Sequence, residues 1–142
     1  RAEALIETGD LQEARTIIND IRQRAKNSVE KHIQYAADQC DIALYPESYF
    51  QDKETARKCL QWERRLELAM ENGRYFDLRR WGIASKTLNA YFEKEMNDVY
   101  DGQTYAQYLK DAHYTAGKNE FYPVPYNQMY YVPGLYTQNK GY

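Results

Sequence analysis

Few residues in this sequence have the types and spacings that chemistry uses. Asp38 and Asp41 are close enough to be a carboxylate pair, which glycoside cleavage needs at a fixed separation with one pKa raised. Nothing around them signals a cleft, and they read as surface acids. His32 and His113 are the only histidines, far apart and outside any HExxH-like pattern, so metal and nucleophile chemistry have no signature. Cys40 and Cys59 lack the CxxC spacing of a zinc site and are too few for a disulfide framework, so they say little about redox compartment, and a buried thiol is the ordinary reading. No glycine-rich phosphate loop is present. The chain therefore reads as non-catalytic, with no cofactor and no metal.

Charge and aromaticity are denser. Glu63 to Gly82 reads ERRLELAMENGRYFDLRRWG, with five arginines, four acids and large aromatics. The local balance is only +1, and the whole chain carries −2 with a pI near 5.7. A nucleic-acid footprint needs uncompensated Lys and Arg, so that partner class is excluded. Tyr75, Phe76 and Trp81 call for burial, and the arginines alternating with them need carboxylate partners. Asp77 and the glutamates of the preceding helix are the expected partners, which makes the stretch a salt-bridged corner between helices.

The elements that would position these groups are mainly helical. Arg1 to Thr8 reads as the end of a helix stopped at Gly9, and Asp10 with Glu13 forms a capping-box-like start for the next. Leu11, Ala14, Ile18, Ile21 and Ala25, with Ile17 beside them, make an amphipathic run to about Lys26. Residues 1–26 are thus a helical hairpin. Residues 27–52 have no sustained period, contain Pro46 and hold Tyr35, Tyr45, Tyr49 and Phe50, which predicts a long loop excursion with at most short helical pieces.

From Lys53 to Asn72 the positions Cys59, Trp62, Leu66, Ala69 and Gly73 follow 3,4,3,4 spacing, the seam of a helix packed on a helix, stopped at Asn72-Gly73. Gly82 to about Asp98 is a further helix with Ile83, Leu88, Tyr91, Phe92 and Met96 as buried positions, and Tyr105 to Ala112 suits a short one. The tail from Asn119, with Tyr122-Pro123-Val124-Pro125 and Pro133-Gly134, predicts extended and turn geometry. The fold class is all-α, with helical hairpins, a loop excursion, a helical region over 53–118 and an irregular tail over 119–142.

The stretch ERRLELAMENGRYFDLRRWG is also similar to the ERR-x-ELA-x-E-x-x-R-x-x-DLRRWG signature of the SusD/RagB family, the surface glycan-binding lipoproteins of Bacteroidetes. NDIRQRA resembles that family's tetratricopeptide-like helix before the excursion, and FYPVPYNQM followed by LYTQNKGY resembles its closing segment. The three occur in the family's order and span nearly the whole chain. Met70, Asn72 and Lys140 depart from the common pattern. The signature residues carried over are Glu63, Arg64, Arg65, Glu67, Arg74, Asp77, Arg79, Arg80 and Trp81, as a structural signature.

This resemblance implies capture of oligosaccharide at the outer membrane of the cell, in partnership with a TonB-dependent, SusC-like transporter. Membrane attachment would come only through a lipid anchor on a front part missing before Arg1, with Tyr142 as the true end. Stacking on sugars needs flat rings and a few hydrogen-bonding groups. The expected carbohydrate-binding residues are Tyr45, Tyr49 and Phe50, because aromatic loops on a helical scaffold tend to hold binding residues; the competing reading is that they plug the loop onto the scaffold. Eleven of the 15 tyrosines lie at or after Tyr91. Tyr126, Tyr130 and Tyr131 among them could line a sugar groove, but the favoured expectation is that they clamp the tail half-buried. A different class of function, a helical-repeat adaptor for a protein or peptide, suits the hairpin equally.

Overall fold

The computed structural model describes residues 1–32 and 40–142, and within them the chain forms two compact units, Arg1–Glu71 and Asn72–Tyr142. Tyr35 and Asp38 lie outside the described residues. The described elements are helical, apart from an isolated antiparallel bridge between Tyr100 and Gln103.

In the first unit, α1 (Ala2–Thr8) ends at Gly9, whose φ of 100° is open to glycine at little cost. The Gly9 N–H donates to Ile6 O at 3.3 Å and the Asp10 N–H to Leu5 O at 2.9 Å, the paired bonds of a Schellman stop. Asp10 Oδ1 then accepts from the Glu13 N–H at 3.2 Å and starts α2 (Leu11–His32). The reciprocal half of the expected capping box is used elsewhere: Glu13 pairs with Arg1. Helix α2 runs past Lys26 to His32. No Gly or Pro interrupts residues 27–32, and Lys31 and His32 suit the negative end of the helix dipole.

The core of this unit joins Ile6, Ala14, Ile18, Phe50, Ala56, Cys59 and Leu60. Complete burial of side chains such as Ile6, Ile18 and Phe50 contributes about 1.5–3 kcal/mol each. After a 3-10 turn at Glu47–Phe50, Asp52 caps α3 (Lys53–Glu67) by accepting from the Thr55 N–H at 2.9 Å. That bond holds the Asp52 carboxyl below its ordinary range.

Helix α3 departs from the predicted seam. Its buried line is Ala56, Cys59, Leu60 and Glu63, whereas Trp62 is 52% exposed, Leu66 51% exposed and Ala69 also exposed. The core face is rotated toward Leu60 and Glu63 because α2 presents an arginine there, so a glutamate outcompetes a tryptophan for the buried position. The helix also stops at Glu67, short of Asn72, and Met70 and Asn72 turn the chain with φ of 68° and 58°.

A polar latch completes the unit. Arg22 Nη1 donates to Glu63 Oε2 at 2.7 Å with side chains only 14% and 9% exposed, and Arg22 Nε donates to Ala43 O at 2.6 Å. One turn earlier, Asn19 Nδ2 donates to Tyr45 O at 3.0 Å while Asn19 Oδ1 accepts from the Tyr45 N–H at 2.8 Å. Gln12 Nε2 donates to Phe50 O at 3.1 Å. The returning segment thus satisfies its backbone on α2 side chains instead of on a strand.

The second unit holds α4 (Arg74–Arg80), α5 (Ala84–Asn97), a 3-10 turn at Gln107–Leu109 and α6 (Tyr126–Tyr131). Its core is smaller: Leu78, Ala84 and Tyr114, with Tyr75, Ile83 and Leu88 against it. Tyr91, predicted to be buried on α5, is 49% exposed. The Asn19 device recurs, since Asn89 Nδ2 donates to Tyr114 O at 3.0 Å and Asn89 Oδ1 accepts from the Tyr114 N–H at 2.7 Å.

The tail is not extended throughout, because Pro125 precedes the first turn of α6, where its missing N–H costs nothing. Gln138 clamps Val124 in the same two-bond manner, at 2.8 and 3.1 Å. Gly141, with φ of 93°, lets the last residues lie on the Lys118 side chain, where a Cβ would meet carbons at 3.0 Å.

Breaking a buried ion pair from one side strands the other charge. Arg22→Ala is therefore expected to destabilise the protein by about 3 kcal/mol in denaturant unfolding, whereas the double change Arg22→Met with Glu63→Leu should lie within about 1 kcal/mol of the parent. Burial, then the neighbouring Tyr75 hydroxyl, pushes the Tyr114 phenol up to about 12. Because the folded value is raised, its stabilising contribution is complete below the unfolded pKa of about 10 and is lost as pH rises from there toward 12. Tyr114→Phe, which keeps the ring, should flatten the loss of stability over that interval in melts at stepped pH.

Candidate functional site

The three aromatic residues expected to bind differ in what they offer. The Phe50 ring is 1% exposed and sits in the core of the first unit, so it has no face for a ligand. Tyr45 is half-buried: Arg22 lies 4.6 Å from its ring centroid, and the rings of Tyr49 and Phe50 each lie 6.2 Å away, tilted. Burial raises the Tyr45 phenol, with Arg22 opposing. Tyr49 alone of the three presents much of its ring, at 49% exposure. The latch on α2 fixes the backbone of Tyr45 and so aims the 3-10 turn that carries Tyr49 outward.

A cavity of about 230 Å³ also opens in this unit, between Ile17, Ile21, Leu60, Glu63 and Glu67. Two of its carboxylates are engaged by α2: Glu63 by Arg22 and Glu67 by Arg24. Cys59, in the core of this unit, is a free cysteine whose thiol is pushed up by burial, and Cys40 is free and exposed. A thiol shifted that way is a poor nucleophile.

The signature stretch divides between the two units. Glu63 and Glu67, expected to serve the arginines of the following helix, meet Arg22 and Arg24 of α2 instead. Arg65 lies over the Trp62 ring at 5.2 Å and Arg64 lines the cavity above. In the second unit Arg74 opens α4, and the nearly buried Asp77 accepts from Arg80 Nε at 2.9 Å. Arg79 lies over Tyr75 at 5.5 Å and Arg80 over Trp81 at 4.8 Å. Cation–π contacts thus hold Arg79 and Arg80, and the buried Asp77 carboxylate holds Arg80 as well.

The same helix forms one side of a groove of about 500 Å³ lined by Phe76, Arg79, Arg80, Glu120 and Phe121. Both phenylalanines are more than half exposed. The groove's two sides are tied: Tyr75 Oη donates to Asn119 O at 2.6 Å, and Asn119 Oδ1 accepts from the Thr115 N–H at 2.6 Å. Tyr142 Oη donates to Phe121 O at 2.9 Å, and Asn139 Nδ2 to Tyr122 O at 2.6 Å. Sequence reasoning missed this groove because Phe76 and Glu120 lie far apart along the chain and no local pattern joins them.

The tail tyrosines do not act as half-buried clamps. Tyr122, Tyr126, Tyr130 and Tyr131 are all well exposed, and Tyr126 and Tyr130 stack on each other at 6.0 Å, one turn apart on α6. Clamping falls to the amides of Gln138 and Asn139, with Tyr142 contributing its hydroxyl.

His32, His113 and Asp41 are exposed, and among the described residues no group of three or more His, Cys, Asp or Glu could hold a metal ion. No described helix is long and apolar enough to cross a membrane. Comparison with curated proteins finds no match. The model of the SusD family matches residues 1–142, and the chain belongs to that family.

Proposed function

From membership of the SusD family we infer that this chain takes part in glycan capture for nutrient uptake, without catalysis, at the outer surface of a bacterial cell. The observation that carries this is the family match over the entire 142 residues. The bound oligosaccharide would pass to a TonB-dependent transporter of the SusC type, and the binding protein would be held at the outer membrane by a lipid anchor. The abundance of exposed tyrosine and phenylalanine supports the reading. Rings with a flat apolar face and a polar edge suit sugars, whose own faces are apolar and whose rims carry hydroxyls.

Single aromatic contacts give weak binding, and a millimolar Kd is worth only about −4.1 kcal/mol. Retention of a polysaccharide therefore depends on several contacts at once, and loss of one should be measurable without being total. In native gels cast with starch, xylan, galactomannan or polygalacturonate, the full-length protein should be retarded by at least one polymer. Tyr49→Ala should reduce that retardation with no change in melting temperature. Unchanged mobility of the variant would assign Tyr49 a structural role, and a parent protein retarded by none of the polymers would contradict the glycan reading itself.

A further inference from the structure

We propose that Asn72-Gly73 is a site of spontaneous covalent modification, at which Asn72 cyclises onto the backbone and becomes aspartate or isoaspartate. The reaction needs an asparagine amide, the N–H of the next residue, and water. The Gly73 nitrogen, on losing its proton to hydroxide, attacks Asn72 Cγ. The new N–Cγ bond forms as the Cγ–Nδ2 bond breaks, and Nδ2 departs as ammonia. Water then opens the cyclic imide at either carbonyl, which gives an ordinary or a β-linked aspartyl bond. One water is consumed for each ammonia released.

Local structure singles out this asparagine among the chain's eight. Asn19, Asn27, Asn89 and Asn97 stand in α2 or α5, where the N–H that follows is committed to the helix ladder. The Asn119 amide is engaged by the Thr115 N–H, and the Asn139 amide by Tyr122 O. Asn127 is in α6, and the Gln128 N–H after it donates to Pro125 O at 2.9 Å. Asn72 differs from all of these. It is exposed and outside any helix, and among the described residues neither its amide nor the Gly73 N–H has a hydrogen-bond partner. The residue after it is a glycine, which has no side chain to shield its nitrogen.

That glycine is not required by the backbone. Gly73 has φ of −76° and ψ of −22°, ordinary right-handed values, and a Cβ added there would meet nothing within 4 Å. The other six glycines all have positive φ. Asn72, by contrast, is held at φ of 58°, in the left-handed region that asparagine and aspartate enter more readily than other side chains. The turn thus accommodates asparagine and its aspartate product, while glycine at 73 contributes reactivity and not shape.

The modification has two local consequences. A carboxylate replaces a neutral amide, which takes the net charge from −2 to −3. The isoaspartyl product also inserts a carbon into the backbone immediately before Gly73, whose carbonyl accepts from the Asp77 N–H at 3.1 Å where α4 begins. The change is therefore made at the entrance of the helix that buries Asp77 and Leu78.

The test follows the purified full-length protein during incubation at physiological temperature. Trypsin, cleaving after Arg65 and Arg74, releases residues 66–74 as one peptide. Chromatography with mass spectrometry then separates its asparagine, aspartate and isoaspartate forms, with a digest taken before incubation as the reference. Both products should accumulate in this peptide, isoaspartate in excess, and faster at alkaline than at mildly acidic pH, while the other asparagines stay intact. Gly73→Ala, which the right-handed backbone and open space permit, should slow the conversion about tenfold, equivalent to about 1.4 kcal/mol on the barrier, with the melting temperature unchanged or raised. A 66–74 peptide that stays intact in the folded protein, while a synthetic peptide of the same sequence converts, would overturn the proposal. An undiminished rate in Gly73→Ala would overturn it as well.

Discussion

Asn19 exchanges two hydrogen bonds with the backbone of Tyr45, and the geometry of the first unit depends on that exchange. The segment returning to α3 has no strand to pair with, yet it must bring Phe50 into the core. Buried or half-buried N–H and C=O groups need partners. Asn19 supplies both for Tyr45, Arg22 supplies one for Ala43, and Gln12 one for Phe50. With the backbone so held, Phe50 can be buried against Ile18 and Ala56, and Asp52 falls where it can cap α3. The Arg22–Glu63 pair then extends the contact along the buried face of α3, so α2 serves as both apolar and polar scaffold.

The second unit repeats the device with different residues. Asn89 reads both backbone groups of Tyr114, and Gln138 reads both of Val124. A side-chain amide has a donor and an acceptor spaced much as a peptide group does, so it can stand in for a neighbouring strand at a single residue. Such clamps hold irregular chain without closing it into a sheet. They leave other side chains of the same segments free to face outward, as Tyr49 and Phe121 do on chain with little regular structure.

The local features were legible in the sequence because their causes are local. The Gly9 stop, the Asp10 start, the return of helix at Lys53 and the core face of α2 follow from spacing and capping chemistry. What could not be read were choices made by distant partners. The face that α3 buries was decided by Arg22, 41 residues away, which made Glu63 an inside residue and left Trp62 and Leu66 outside. The clamps join residues 26, 25 and 14 positions apart and leave no periodic trace. Helix α6 was hidden by the prolines before it, since a proline that breaks a helix from within also serves to begin one. The aromatic groove escaped notice for the same reason as the clamps.

The glycan capture proposed for this member of the SusD family would call for rings presented at fixed positions, and clamped irregular segments offer a physical route to that end. The central claim is that these segments are as firmly held as the helices that clamp them. Amide hydrogen exchange measured at Tyr45, Tyr114 and Val124 tests it most directly. Protection at all three comparable to that of amides within α2 and α5 is the predicted result; exchange as fast as that of exposed, unpaired backbone would contradict it.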